Sequence, residues 1–175
     1  MPLILILAVP WLLLRMLGSL GVEPLRGWRT SGRLALAFLF GLAGVMHFTA
    51  YREDYRVMIP PPFPRELWLV YLSGLFELAG AVGLLVARFR RAAALGLMLL
   101  LVAVFPANVY AARENLRFSG QPHPDLALRA AIQLLYFGAV WWCGWRRPAA
   151  PALAGAAGTD KVAPTDPAPS EDARA

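Results

Sequence analysis

The stretch Leu67-Trp68-Leu69-Val70-Tyr71-Leu72-Ser73-Gly74-Leu75-Phe76-Glu77-Leu78-Ala79-Gly80-Ala81-Val82-Gly83-Leu84-Leu85-Val86-Ala87 carries one charge, Glu77, at its middle. A helix needs about 20 mainly apolar residues to cross a ~30 Å hydrocarbon core, and this run is long enough. A carboxylate at that depth costs roughly a few kcal/mol on insertion scales, so it should face protein or a wet cavity. Wound as an α-helix, the stretch places Ser73, Gly74, Glu77, Gly80 and Ala81 on one side. Leu72, Leu75, Phe76, Ala79, Val82 and Val86 fall on the other. Small residues let helices approach closely, so the Glu77 side is expected to pack on protein and the bulky side to meet lipid.

Four further stretches read the same way: Leu3–Val22, Leu34–Tyr51, Ala92–Ala112 and Leu126–Trp145. The 175 residues are 58% hydrophobic with a mean hydropathy of +0.53, too apolar for a soluble domain of this size, and the connecting loops leave no room for one. The fold class expected is all-α, a transmembrane helical bundle. A net charge of +6 raises nucleic acid as a partner, but the arginines lie at span ends rather than on one basic face, which excludes it.

Those arginines encode orientation instead. Arg26, Arg29, Arg33, Arg88, Arg90, Arg91, Arg146 and Arg147 all fall on one side of a five-span bundle. Arg52, Arg56, Arg65, Arg113 and Arg117 fall on the other, largely offset by acids. The positive-inside rule then puts the N-terminus outside and the C-terminus in the cytoplasm. The first span lacks a basic n-region and a small-x-small cleavage site and is interrupted by Arg15, so it is expected to be a retained helix rather than a signal peptide. Arg15 should snorkel to the headgroups, and Pro10 should kink the span. Cys143 is the only cysteine, so a disulfide within one chain is impossible.

Between the second and third spans, Met58-Ile59-Pro60-Pro61-Pro62-Phe63-Pro64 predicts a stiff polyproline-like segment, read either as a plain connector or as a lid with Met58, Ile59 and Phe63 facing inward. From Pro148 onward the chain has too few large apolar residues to order itself, so a disordered tail is expected.

Counting depth at ~1.5 Å per residue, four helices each bring a polar group into the outer half of the bilayer. They are His47, near the outer surface; Glu77, about 15 Å below Leu67; Asn108; and the i, i+4 pair Arg129 and Gln133. These five are the candidate ligand-binding residues, and a catalytic residue is not identified. Pro106 cannot donate to the carbonyl of Val102, so that carbonyl is expected to need another partner, with a break at Phe105-Pro106-Ala107-Asn108. Plainer roles compete: Glu77 as a buried ion pair with Arg129 or His47, Asn108 and Gln133 as interhelical hydrogen-bond glue. With only His47 and His123 in the chain, the expected metal set is none and a bis-histidine haem within the bundle is excluded.

Several motifs resemble the DoxX-like family of small bacterial membrane proteins. They are Gly44-x-x-His47-Phe48, Met58-Ile59-Pro60-Pro61, Val70–Leu85 around Glu77, Arg90-Arg91-Ala92-Ala93, Val104-Phe105-Pro106-Ala107-Asn108-Val109-Tyr110 and Arg129-x-x-x-Gln133. The likeness covers roughly Leu34–Trp145. It implies a four-helix transmembrane domain over residues 34–147, an added N-terminal helix and basic linker over residues 1–33, and the tail over residues 148–175. It also implies the bacterial inner membrane. By that resemblance the chain is an accessory, non-catalytic subunit of a membrane redox system, with a membrane or periplasmic redox protein as partner. Family thiol chemistry would need cysteines this chain lacks. Apolar walls with a few convergent polar groups suggest a quinone- or lipid-sized pocket, with a quinone as the cofactor. The alternatives are a small proton-coupled carrier or exporter, which would need a homo-oligomer to supply enough spans, and a structural scaffold without ligand.

Overall fold

The computed structural model describes residues 2–61, 63–122 and 124–145. Pro62, His123 and the expected disordered tail lie outside them. The architecture is all-α. Among the described residues, helices α1 (Pro2–Ser19), α2 (Trp28–Met46), α3 (Arg52–Val57), α4 (Leu67–Leu85), α5 (Arg90–Arg113) and α6 (Leu126–Val140) are joined by short turns, and α6 runs on into a π-helical turn at Trp141–Trp145. Three helical segments, Leu67–Leu85, Arg90–Arg113 and Leu126–Trp145, are long and apolar enough to cross a membrane, as expected of a membrane protein.

Local chemistry sets the helix ends. Asp125 caps α6, its Oδ1 accepting from the Leu128 N–H at 2.8 Å. α5 closes where Asn115 adopts φ 50°, and the Leu116 N–H turns back to the Ala111 carbonyl. The chain then forms a feature absent from the sequence reading, a two-residue hairpin with strand β1 (Arg117–Phe118) paired to β2 (Gln121–Pro122). Ser119 and Gly120 both have positive φ, the requirement of the tight turn that matches strand twist.

α4 meets its neighbours through the face that the sequence reading assigned to packing. Gly74, Gly80 and Ala81 are buried, whereas Leu75, Phe76 and Val82 are exposed. A Cβ at Gly74 would lie 2.6 Å from the Cβ of His47 and 3.0 Å from the Gly44 carbonyl, and one at Gly44 would lie 2.9 Å from the Gly74 carbonyl. These two glycines therefore set the closeness of the α2–α4 crossing.

One hydrophobic core joins α1, α2, α4, α5, α6 and the π-turn. Leu36, Leu84, Leu97, Val140 and Cys143 are at most 1% exposed. Each lies roughly two to three helical turns from the polar residue of its own element, toward the end bearing Arg33 and Arg88–Arg91. The apolar core thus fills the basic half of the bundle and the polar residues occupy the other half. α1 packs on this core through Leu7 and through Trp11, whose indole N–H donates to the Trp28 carbonyl at 3.1 Å. Arg15 stacks over the Trp28 ring at 5.2 Å, a closer tie to protein than the headgroup snorkelling expected for it.

Candidate functional site

Two polar groups form in the half of the bundle away from the basic turn. The first is built by α2, α3 and α4. α2 stops at Met46, earlier than the span end expected at Tyr51, and His47 serves as its C-cap. The following residues fold back as α3, and His47 is buried at 6% exposure. Its Nδ1–H donates to the Ala43 carbonyl at 2.8 Å, one turn earlier. The ring stacks face to face on Tyr55 of α3, with centroids 3.9 Å apart and planes within 11°. Glu77 Oε2 approaches His47 Nδ1 at 3.5 Å, too long for a hydrogen bond, and that proton is already directed at Ala43. Glu77 Oε2 is buried and has no hydrogen-bond donor.

The second group lies on α5 and α6. Arg129 Nη2 donates to Asn108 Oδ1 at 2.7 Å, Asn108 Nδ2 donates to Gln133 Oε1 at 3.1 Å, and Gln133 Nε2 donates to the Leu101 carbonyl. The chain has one self-consistent direction. A guanidinium only donates, so the Asn108 carbonyl must face it, and each amide further on is oriented by the one before. Gln133 thus reaches the carbonyl of Leu101, the residue before Val102, whose carbonyl Pro106 leaves without its helical donor, and α5 runs on through Pro106 without the break expected at Phe105-Pro106-Ala107-Asn108. Arg129 Nε stays buried without a partner.

Glu77 and Arg129 do not form the ion pair considered from sequence. Among the described residues the carboxylate contact of Glu77 is with His47. Tyr55 stands between the two groups electrostatically. Burial raises its phenol above the ordinary tyrosine range, the Glu77 charge adds to that rise, and the Arg129 charge opposes it. Sequence reasoning missed Tyr55 because it follows the second span in a stretch treated as connector. The clue was there: Tyr51 and Tyr55 are i, i+4 and so share a face of the short helix.

α3 and its surroundings form a cap. Met58 is buried at 5% exposure, whereas Phe63 is 54% exposed, so the lid turns only part of its apolar set inward. The Phe63 N–H donates to the Pro60 carbonyl at 3.0 Å, so the proline segment reverses direction rather than running extended. Arg65 secures it, with Nε donating to the Ile59 carbonyl at 2.9 Å and Nη2 to the Tyr110 hydroxyl at 2.7 Å. The hairpin joins from the other side. Phe118 stacks on Tyr51 and meets Tyr55 edge-on, and the Ser119 N–H donates to Asp54 Oδ2 at 2.8 Å. Asp54→Ala is expected to speed hydrogen exchange at Ser119 about fivefold, the loss of one exposed charge-assisted bond, with exchange in α4 unchanged.

Two grooves on the bundle surface are lined by none of the five candidate residues. One groove, about 660 Å³, runs between α4 and α5 past Leu75, Ala79, Gly83, Ala92 and Gly96. The other, about 300 Å³, lies between α2 and α4. Both are apolar. Tyr55 stacks directly on the His47 ring, so this face of the polar centre is covered.

Comparison with known proteins adds one assignment. No curated protein and no solved structure matches the chain. A family model described as a domain of unknown function, DUF8561, matches residues 36–144, which takes in α4, α5, α6, the cap and all five candidate residues, and the chain belongs to that family.

Proposed function

We propose that this protein is an accessory, non-catalytic integral protein of the bacterial cytoplasmic membrane that serves a membrane redox system and holds a quinone at its covered polar centre. Its likeness to DoxX-like proteins supports this reading, as do three helical segments long and apolar enough to cross a membrane and arginines gathered toward one end of the bundle. In this reading the N-terminus is outside, and a membrane or periplasmic redox protein is the partner. One observation carries the ligand: of the three buried side-chain atoms without a hydrogen-bond partner among the described residues, Glu77 Oε2 and Arg129 Nε belong to the polar residues of this half of the bundle, and the third, Arg15 Nε, lies on α1 beside Trp28. Buried polar atoms rarely stay unpaired, since each costs about 1–3 kcal/mol, so an external group is called for.

The donor set fits a quinone. Its carbonyl oxygens only accept; the Arg129 Nε–H donates, and Glu77 donates when protonated. The faces of Tyr55 and His47 offer a planar ring a stacking surface once α3 is displaced. When bound, the quinone would supply two-electron redox capacity, and the protein's residues would hold and orient it.

The test is purification of the full chain in native-lipid discs, followed by extraction and analysis of small molecules. Quinone enriched above bulk membrane composition is expected. Glu77→Leu, which removes the carboxyl donor, and Arg129→Gln, which removes the guanidinium, should each lower that enrichment about tenfold. A quinone content equal to bulk lipid in the unmodified protein sinks the proposal. The scaffold reading has support of its own in the internally paired Asn108–Gln133 link. It requires that Glu77→Leu change neither extracted ligand nor partner recovery.

A further inference from the structure

We propose that the groove between α4 and α5 binds one acyl chain of an anionic phospholipid, whose phosphate is held by the arginines of the α4–α5 turn. This rests on the membrane reading above but not on the quinone.

The first support is the charge at the groove's end. Val86 and Phe89 line the groove where it meets the turn carrying Arg88, Arg90 and Arg91. Arg33 of α2 lies at the same end, close enough to Arg29 and Arg90 to be repelled by both. None of Arg33, Arg88, Arg90 and Arg91 makes an ion pair among the described residues. Glu23, the acid of the neighbouring linker, is taken by Arg26 at 2.8 Å. Arg90 uses its Nε on the Leu84 carbonyl at 3.4 Å, which leaves its terminal nitrogens for an outside anion. Like charges gathered without counter-charge at a membrane surface favour an anionic headgroup, and basic pockets between helices on the cytoplasmic side are suited to one.

The second support is length. From Val86 to Leu75 the groove follows α4 for about 16 Å, at ~1.5 Å per residue. Half of a ~30 Å hydrocarbon core is about 15 Å, the depth one acyl chain occupies in its own leaflet. The groove therefore runs from headgroup level to the bilayer midplane and stops.

The third support is the way the groove is made. A Cβ at Gly83 would lie 2.6 Å from the Ala93 Cβ, so the two helices touch at the groove floor. A Cβ at Gly96 would meet nothing within 4 Å, so Gly96 opens the groove without being needed for packing. That difference supplies a variant which fills the groove and still folds.

Native mass spectrometry of the full chain in detergent, titrated separately with phosphatidylglycerol, phosphatidylcholine and inorganic phosphate, tests this. Phosphatidylglycerol should bind well above phosphatidylcholine, and phosphate alone should not bind. Arg90→Gln and Arg91→Gln should each weaken phosphatidylglycerol binding about fivefold. Gly96→Leu should weaken it with unchanged melting temperature. Equal binding of the two lipids, binding of phosphate alone, or indifference to the arginine variants overturns the proposal. So does a dimer that Gly96→Leu converts to monomer, since a second copy would then be the occupant. Should Gly96→Leu fail to fold, the arginine variants decide. Alkaline extraction separates the premises: a chain released from membranes refutes the membrane reading, whereas an integral chain without lipid preference refutes this inference alone.

Discussion

Gly74→Leu is expected to lower the melting temperature in detergent by about 10 °C. A Cβ at this position already lies 2.6 Å from the Cβ of His47, which cannot swing away because it is anchored to the α2 backbone. The three further carbons of leucine have to separate α2 from α4. Overpacking typically costs 1–3 kcal/mol, and a contact this close belongs at or above the upper figure, so about 3 kcal/mol is assigned here. For a chain of this size that corresponds to about 6–12 °C. Gly74→Ala should move stability in the same direction by less. Gly96→Leu adds the same side chain to open space and should leave melting unchanged, so a general intolerance of leucine is controlled for. The consequence for the site is a second readout. Separating α2 from α4 draws His47 and Tyr55 away from Glu77, so carbodiimide labelling of Glu77 should rise. Equal melting of Gly74→Leu and the unmodified protein would falsify the crossing described here.

Asn108→Leu is expected to cost about 2–4 kcal/mol, because this one residue serves two partners. Neutral hydrogen bonds between membrane helices are worth only about 0.6 kcal/mol on average. On that figure the link to Gln133 contributes little. The Arg129 guanidinium is different: hydrogen bonds to charged groups are worth about 1.5–3 kcal/mol, and its part-buried Nη2 would lose the Asn108 acceptor. A double-mutant cycle separates the terms. Asn108 and Arg129 should couple by more than 1 kcal/mol, a threshold set by the usual range for contacting residues. Asn108 and Glu77, which share no hydrogen bond, should be additive within about 0.5 kcal/mol. Strong coupling of Asn108 to Glu77 would mean the two polar groups are one network rather than two groups with Tyr55 between them.

The two glycines and Asn108 also show why parts of this protein were readable early. The inward and outward faces of α4 follow from helical period and side-chain size alone, and the structure buries Gly74, Gly80 and Ala81 and exposes Leu75, Phe76 and Val82 accordingly. The link from Arg129 and Asn108 to Gln133 was open to the same logic, since polar groups in apolar helices need partners. The end of α2 was placed too late because apolarity continues to Tyr51 after the helix has ended at Met46. Hydropathy measures transfer to lipid, and it does not distinguish a span from an aromatic cap folded over one.

The Ser119-Gly120 turn was a legible signal, a small polar residue and a glycine supplying two positive φ angles, passed over in a loop with no run of alternating residues beside it. The partner of Glu77 was not legible at all. Helical period puts a residue on a face, but which neighbouring helix meets that face depends on how five helices assort.

By itself, then, the order of residues determined that the chain is helical and suited to a membrane, which face of α4 is protein-facing, and where its basic end lies. Those properties depend on transfer free energies and helical repeat, which act within a single segment. Only the tertiary structure decided that His47 rather than Arg129 approaches Glu77, that Tyr55 stacks on His47, and that a groove ends at arginines without an ion pair among the described residues. Such relations join residues distant along the chain, and they arise when close-packed helices settle their mutual crossings and the loops fold over what remains.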